Sequence, residues 1–300
     1  MNRVITTIIL IFGSLIACGG NDIPGGNTDW PDKDDDKGGG GNNDKVEVYK
    51  IGDRLSSVDE MKLVWADEFD TNGDVNPNNW TYEKGFVRNQ EIQYYTESRP
   101  ENCRVEGGQL IITGRKENFS YGTTGFSDGT VTSASIITNK KHSWQYGRFE
   151  IRAKIPGGKG SWPAFWAKGD SQNTGQGWPR CGEIDIMEYA GKDPVMIHNA
   201  IYGESSSNYK SETKRIYQDY SKSFHVYSLD WNVNQLTFAI DNVVTHVVDI
   251  KNITPNPFNQ KFSILLNLAL GASTERTLAG KLDQSILPIE FRVDYVRVYQ

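Results

Sequence analysis

Glu183, Asp185 and Glu188 fall within the run Glu183-Ile184-Asp185-Ile186-Met187-Glu188-Tyr189. In a β-strand, residues i and i+2 share a face, so Glu183 and Asp185 point together while Ile184 and Ile186 point into the core. Glu188 has the wrong parity for that face. One extra residue in a β-bulge around Ile186-Met187 corrects it and sets Glu188 beside the other two. The two Glu Cα atoms are then expected roughly 13 Å apart, at about 3.3 Å per residue. Side chains leaning inward can bring the carboxyl groups to about 5–5.5 Å, where one attacks while the other protonates a leaving oxygen. Like charges at such spacing raise one another's pKa, which a general acid needs near neutral pH, and Asp185 between the two can share a proton with the nucleophile. The rival readings are an exposed acidic strand face and a calcium site on alternating carboxylates. Zinc has little support, with His198 the one histidine nearby.

The elements that must hold these acids read as strands. Period-two alternation runs through Gln109 to Thr113, Ser135 to Thr138, Gly147 to Ile155, Leu236 to Ile240 and Phe291 to Tyr299. Phe262 to Leu270 is a continuous apolar run, expected to be buried on both faces. Gly-Gly, Asp-Gly and Asp-Asn turns separate these runs, and helical periodicity is scarce. Aromatics at 11% and 30 Gly in 300 residues favour the same conclusion, an all-β sandwich or jelly roll. In Ser161-Trp162-Pro163-Ala164-Phe165-Trp166, alternation sets Trp162 and Trp166 on one face and Phe165 on the other. Two Trp on one face serve core packing or a wall for the apolar faces of sugars equally well. Trp178 is a similar candidate, while Arg88, Asn89 and Gln93 offer hydrogen bonds to hydroxyl groups. For Gln93 and Tyr95, plain strand packing is as good a reading. Asn267, in an otherwise apolar run, needs a partner.

The segment Trp178-Pro179-Arg180-Cys181-Gly182 followed by Glu183-Ile184-Asp185-Ile186-Met187-Glu188 resembles the signature of glycoside hydrolase family 16 in its bulged, laminarinase-like form. The likeness extends in order through Asn89 and Glu91 to Thr96, residues 147–166, 224–231, 264–271 and 293–299, covering roughly Leu63 to Gln300. It implies a two-sheet β-jelly roll, a concanavalin A-like sandwich, with an open substrate cleft. It also implies retaining endo-hydrolysis of β-1,3-glucan and of mixed β-1,3-1,4-glucan. Carried over, Glu183 matches the nucleophile, Asp185 the assisting acid and Glu188 the acid/base. Asn89 matches a substrate residue, Trp162 and Trp166 move to the cleft, and His198 lies where relatives contact the acid/base. No cofactor is needed for catalysis. A structural calcium is implied, with Glu68, Gly108 and Asp294 in its usual ligand regions. Cys103 and Cys181 are either a disulfide or two buried thiols. One departure is Gly271 to Leu278, which lacks the Trp that relatives carry there, so linkage preference stays open. Galactan hydrolases and transglycosylases share the scaffold, and a glycan-binding surface lipoprotein without chemistry is the rival from another class. The intact acid triad argues against that last reading.

Residues 1–18 read as a leader: Arg3, an apolar stretch from Val4 to Ile16, then Ala17-Cys18. This ending resembles a bacterial lipoprotein processing site, implying cleavage before Cys18, lipidation there, and export to the outer membrane. Residues 19–45 are Gly-, Asp- and Asn-rich and are expected to be a disordered tether of about 30 Å root-mean-square span. Seven Asp against three Lys put −4 in that tether, so with Arg3 in the leader, residues 46–300 carry −3 of the total −6. That balance excludes nucleic acid and makes the lipid anchor the one expected membrane contact. Residues 46–300 are expected to be one monomeric catalytic domain binding a β-glucan polysaccharide or oligosaccharide.

Overall fold

The alternating segments form strands of two sheets, antiparallel except for one parallel edge pair, stacked face to face in the computed structural model, which describes residues 47–121, 127–204, 209–215, 219–272, 274–275 and 277–300. Cys18 and the tether lie outside the described residues. The larger sheet runs β15 (Val243–Asp249), β14 (Gln235–Ile240), β13 (His225–Trp231), β8 (Gly147–Lys154), β17 (Ile289–Tyr299), β5 (Leu110–Phe119), β6 (Ser127–Ser133), β3 (Gln93–Tyr95). β1 (Leu63–Asp67) joins it on β17 and β4 (Cys103–Val105) on β5. The smaller sheet runs β12 (Lys210–Arg215), β11 (Met196–Tyr202), β10 (Glu183–Tyr189), β9 (Ser161–Gly169), β16 (Phe262–Leu270), β7 (Ser135–Ile137), β2 (Thr81–Tyr82). The sheets share one long strand path. β6 passes through the fully buried Ala134 into β7, so the chain changes sheet at a bend, as sandwich corners require. Helix among the described residues is limited to 3-10 turns such as Asp170–Thr174.

The inner faces meet over a single apolar core. Phe149, Ile151 and Ala153 of β8 and Val296 and Val298 of β17 belong to it, as do Phe165, Ile184, Ile186, Met187, Ile264 and Leu268 of the smaller sheet. β16 is buried at all nine positions, as its unbroken apolar sequence requires, because the second face of the smaller sheet is covered as well. On that second face Ile137, Ala164, Trp166 and Leu265 form one cluster, and Trp162, Ala269 and Ala279 another. This is the face that carries the acids.

Cys103 and Cys181 are both free and buried, so the thiol alternative holds and the disulfide does not. Burial pushes the Cys103 thiol up to about 12, which keeps it protonated and unreactive.

Candidate active site

The bulge lies where strand parity demanded it. Against β11, Asp185 pairs with Ala200 and Glu188 with His198, so three steps on β10 span two on its partner. Against β9, Asp185 pairs with Trp166 and Met187 with Phe165, two steps against one. Ile186 and Met187 consequently both face the core, at 2% and 0% exposure, and the three acids share the opposite face. Asn199 of β11 supports the irregularity by donating from Nδ2 to the Ile186 carbonyl at 2.6 Å. At the strand's entry, Gly182 has φ 79°, and a Cβ there would sit 2.8 Å from Phe262 Cζ and 3.1 Å from Pro257 Cβ. Gly182→Ala is therefore expected to destabilise the protein by about 2–4 kcal/mol, combining left-handed strain with overpacking. Thermal unfolding checks this; an unchanged melting temperature would mean that the approach to Glu183 is not fixed by this packing.

Electrostatics separate the roles of the carboxyl groups. Burial raises all three. Glu183, pushed up to about 7, has compensation: Lys168, its register partner on β9, and Arg88 favour its anion, and the Trp178 side chain donates to it. Glu188, also pushed up to about 7, has the indole of Trp162 donating to Oε1 at 2.9 Å but feels the negative charge of Glu183 and of Glu91. Asp185, 5% exposed, is raised well above the usual carboxylate range by burial and then by both glutamates. The first ionisation of the set belongs on Glu183, where the cations are. The remaining protons are then held more tightly on Asp185 and Glu188. His198, opposite Glu188, is pushed down to about 4 by burial and by Lys192, so it stands neutral beside the acid and leaves that raised pKa intact.

Beneath the acids lies a hydrogen-bonded floor that sequence reasoning saw only in pieces. Trp166 Nε1 donates to Asn267 Oδ1 at 2.7 Å, and Asn267 Nδ2 donates to the Tyr95 hydroxyl at 3.1 Å. Tyr95 in turn donates to Glu91 at 3.3 Å, as do Gln93 Nε2 at 2.6 Å and Asn89 Nδ2 at 3.1 Å. Gln93 Oε1 accepts from the Leu270 amide at 2.8 Å, tying this loop to β16. Gln93 and Tyr95 are thus structural, and Asn267 has found protein partners. Trp162 and Trp166, at 9% and 7% exposure, are floor rather than open wall. The open aromatic wall is Trp178, 52% exposed, followed by Tyr202 at 5.6 Å and Tyr209 at 4.6 Å between ring centroids. Arg88 lies 5.0 Å above the Trp166 ring and is paired with Glu83. Its Nη1 is buried with no hydrogen-bond partner among the described residues, an uncompensated donor that adds to the positive field around Glu183. Asn89 is exposed on the same loop, in the left-handed conformation at φ 55° that Asn tolerates.

Glu91, Asn199, Tyr202 and Tyr209 were missed as site residues. The signal for Glu91 was its place between Asn89 and Gln93. The effect of Glu91 is testable. Its anion helps hold the proton on Glu188, so Glu91→Gln should move the alkaline limb of the kcat/KM profile to lower pH. An unshifted limb would exclude that influence.

Calcium is unconfirmed at the residues expected to ligate it, whose side-chain carboxylates are held by arginines. Arg297 grips Glu68 through Nε at 2.8 Å and Nη2 at 2.9 Å, and Arg152 Nη1 holds Asp294 at 2.6 Å. A cation bound through either carboxylate would have to displace a guanidinium, whereas backbone carbonyls, that of Gly108 included, are ordinary calcium ligands free of that competition. No group of three or more His, Cys, Asp or Glu suited to a metal occurs among the described residues.

A trio of carboxyl groups with divided environments, floored by tryptophan and bordered by an exposed aromatic wall, is equipped for displacement at a sugar carbon. Comparison with known proteins agrees. The sequence is 37% identical over 262 residues to a beta-glucanase of Rhodothermus marinus, covering 83% of this chain and 88% of the relative. It is 36% identical over 225 residues to a glucan endo-1,3-beta-glucosidase of Cryptopygus antarcticus, covering 70% and 81% respectively. Its structure matches the Rhodothermus marinus laminarinase with a TM-score of 0.71 at 38% identity, covering 80% of this chain and 97% of that one. The family model for glycosyl hydrolases family 16 matches residues 89–286, which hold the loop of Asn89, the bulged strand and the whole of β16, and the chain belongs to that family.

Proposed function

We propose that the protein is a retaining endo-β-1,3(4)-glucanase. The observation that carries this reading is the bulge at Ile186-Met187, which sets Glu188 on the face of Glu183 and Asp185. Glu183, whose anion is favoured by Lys168 and Arg88, attacks the anomeric carbon as Glu188 protonates the glycosidic oxygen. The bond to the leaving sugar breaks as the Glu183 ester forms. Glu188, now anionic, takes a proton from water, which attacks the same carbon and restores both groups. Protonated Asp185, on the same face between the two glutamates, tunes the charge of Glu183 through its proximity. Arg88, Asn89 and the wall of Trp178, Tyr202 and Tyr209 hold the chain in place. The bulged, laminarinase-like motif and the β-glucanase relatives support β-glucan over galactan as substrate.

The leader ending at Cys18 and the acidic tether support a further part of the proposal: a lipoprotein anchored in the outer membrane, its catalytic domain held some tens of ångströms from the bilayer as a monomer.

The test is incubation of purified protein with laminarin, barley mixed-linkage glucan and agarose, with sizing of products. Internal cleavage of the first two, releasing intermediate oligosaccharides of retained configuration, is expected. Cleavage of agarose alone, or of none, would overturn the reading.

A further inference from the structure

The loop that supplies Arg88 and Asn89 to the cleft has a second, outward side. Phe86 and Val87 are 54% and 41% exposed, and Phe86 stands edge-on to Tyr94 at 5.5 Å and to Tyr121 at 5.3 Å between centroids. Tyr94 stacks on Tyr121 at 5.1 Å, their planes 20° apart, and meets Phe119 at 5.4 Å. Strand alternation explains the placement. On β3, Gln93 and Tyr95 are buried toward the cleft floor while Tyr94 between them projects to the opposite side. Tyr94 lies level with Thr132 of β6, as does Arg115 of β5, so these rings occupy the outer face of the larger sheet at its edge. None of the four rings belongs to the core between the sheets. Isolated apolar side chains on a surface need no explanation, but four rings gathered on one edge, two of them well exposed, mark a binding surface.

The surroundings favour sugar as the occupant. Charged groups accompany the rings: Arg99 lies 5.2 Å over Phe119 and is paired with Glu117, and Lys84, two residues before Phe86 in sequence, is paired with Glu97. Flat apolar surface edged by polar groups matches the C–H faces and equatorial hydroxyls of a glucan. The patch is also continuous with the cleft, because Phe86, Val87, Arg88 and Asn89 are consecutive and Arg88 reaches over Trp166. We infer that Phe86, Tyr94, Phe119 and Tyr121 form a second glucan-binding surface, outside the catalytic cleft, that retains a polymeric β-glucan chain beside the active site. The inference rests on the glucanase reading. A chain long enough to occupy both regions gains from two linked contacts; a short oligosaccharide fits in the cleft alone and gains nothing.

The experiment compares the parent with Phe86→Ala/Tyr121→Ala, using laminaripentaose for hydrolysis and insoluble β-1,3-glucan for both sedimentation binding and hydrolysis. Binding is repeated with both proteins carrying Glu183→Gln, so that the polymer is not consumed. Loss of two ring contacts is expected to weaken polymer binding about tenfold and to slow polymer hydrolysis at sub-saturating load, with pentaose kcat/KM within about twofold of the parent. Unchanged polymer binding would overturn the inference. So would an equal fall on pentaose and polymer, which would make the rings part of the cleft or of the fold. Phe86→Ser alone, at an exposed loop position, and a thermal melt of each variant guard against misfolding. A parent inactive on pentaose and polymer alike would overturn the glucanase reading itself, a result distinct from failure of the patch.

Discussion

Glu183→Gln is expected to reduce reducing-end release from laminarin by more than about 10³-fold while leaving oligosaccharide binding within a fewfold of the parent. An amide cannot attack the anomeric carbon, and no other ionised carboxylate stands ready to replace it. Asp185 is buried and held protonated, and Glu188 lies at the far end of the bulge as the proton donor. The substitution keeps the shape and leaves an acceptor for the Trp178 side chain, so the cleft should survive. A stability readout confirms this with a definite sign. The folded-state pKa of Glu183 is raised above the unfolded value of 4.5 to about 7. Its ionised form therefore opposes folding above neutral pH, and this opposition vanishes below the unfolded value. The neutral Gln removes it, so the variant should melt no lower than the parent at pH 8 and the two should converge near pH 4. Isothermal titration with laminaritetraose and a reducing-sugar assay measure the two halves of the prediction. A variant that turns over at the parent rate would remove Glu183 from the nucleophile's role.

The catalytic strand was legible because its exception was local. Strict alternation would have put Glu188 in the core with Ile184, and two consecutive apolar residues, Ile186 and Met187, offered the one place for an extra residue. The sandwich was legible because its strands are runs of strand-forming residues: β16 is buried throughout, as its unbroken apolar sequence indicated, whereas β14, read as alternating, is buried at all six positions because both its faces are covered. What escaped were pairings set by topology. Tyr95 meets Asn267 across 172 positions, and Glu68 meets Arg297 across 229. No spacing rule indicates that an arginine will arrive at a carboxylate otherwise suited to calcium. Glu91 carried no role until three donors from its own segment were seen to converge on it. The support of the bulge by Asn199 likewise depends on the register of β11, which the sequence of β10 does not contain. Trp162 and Trp166 were assigned to the correct face, but their depth was not readable. That depends on the loop around Arg88 and the segment at Leu278–Ala279 closing over them.

Glu188→Gln should separate the two halves of the reaction. The variant preserves the acceptor for Trp162 Nε1, which donates to Glu188 Oε1 at 2.9 Å, so positioning is retained and only the proton is lost. Removing a general acid costs about 10²–10⁴-fold on a natural glucan, whose leaving sugar hydroxyl must be protonated as it departs. A dinitrophenyl β-oligoglucoside has a leaving group that needs no proton, so formation of the Glu183 ester should proceed at close to the parent rate. Hydrolysis of that ester still requires a base at position 188, and should slow enough to give a burst of dinitrophenol followed by a low steady state. Azide, which needs no deprotonation, should restore turnover and yield a β-glycosyl azide, the configuration retention demands. The pH profile follows from the same assignment. In the parent, burial, Glu183 and Glu91 raise the Glu188 pKa to about 7, so kcat/KM falls on the alkaline side as this proton is lost. With Gln there is no proton to lose, and the alkaline limb should disappear for the activated substrate while the acid limb, set by ionisation of Glu183, persists. An alkaline limb that survives in Glu188→Gln would assign the acid elsewhere in the cleft, and absence of azide rescue would remove the covalent intermediate from the mechanism.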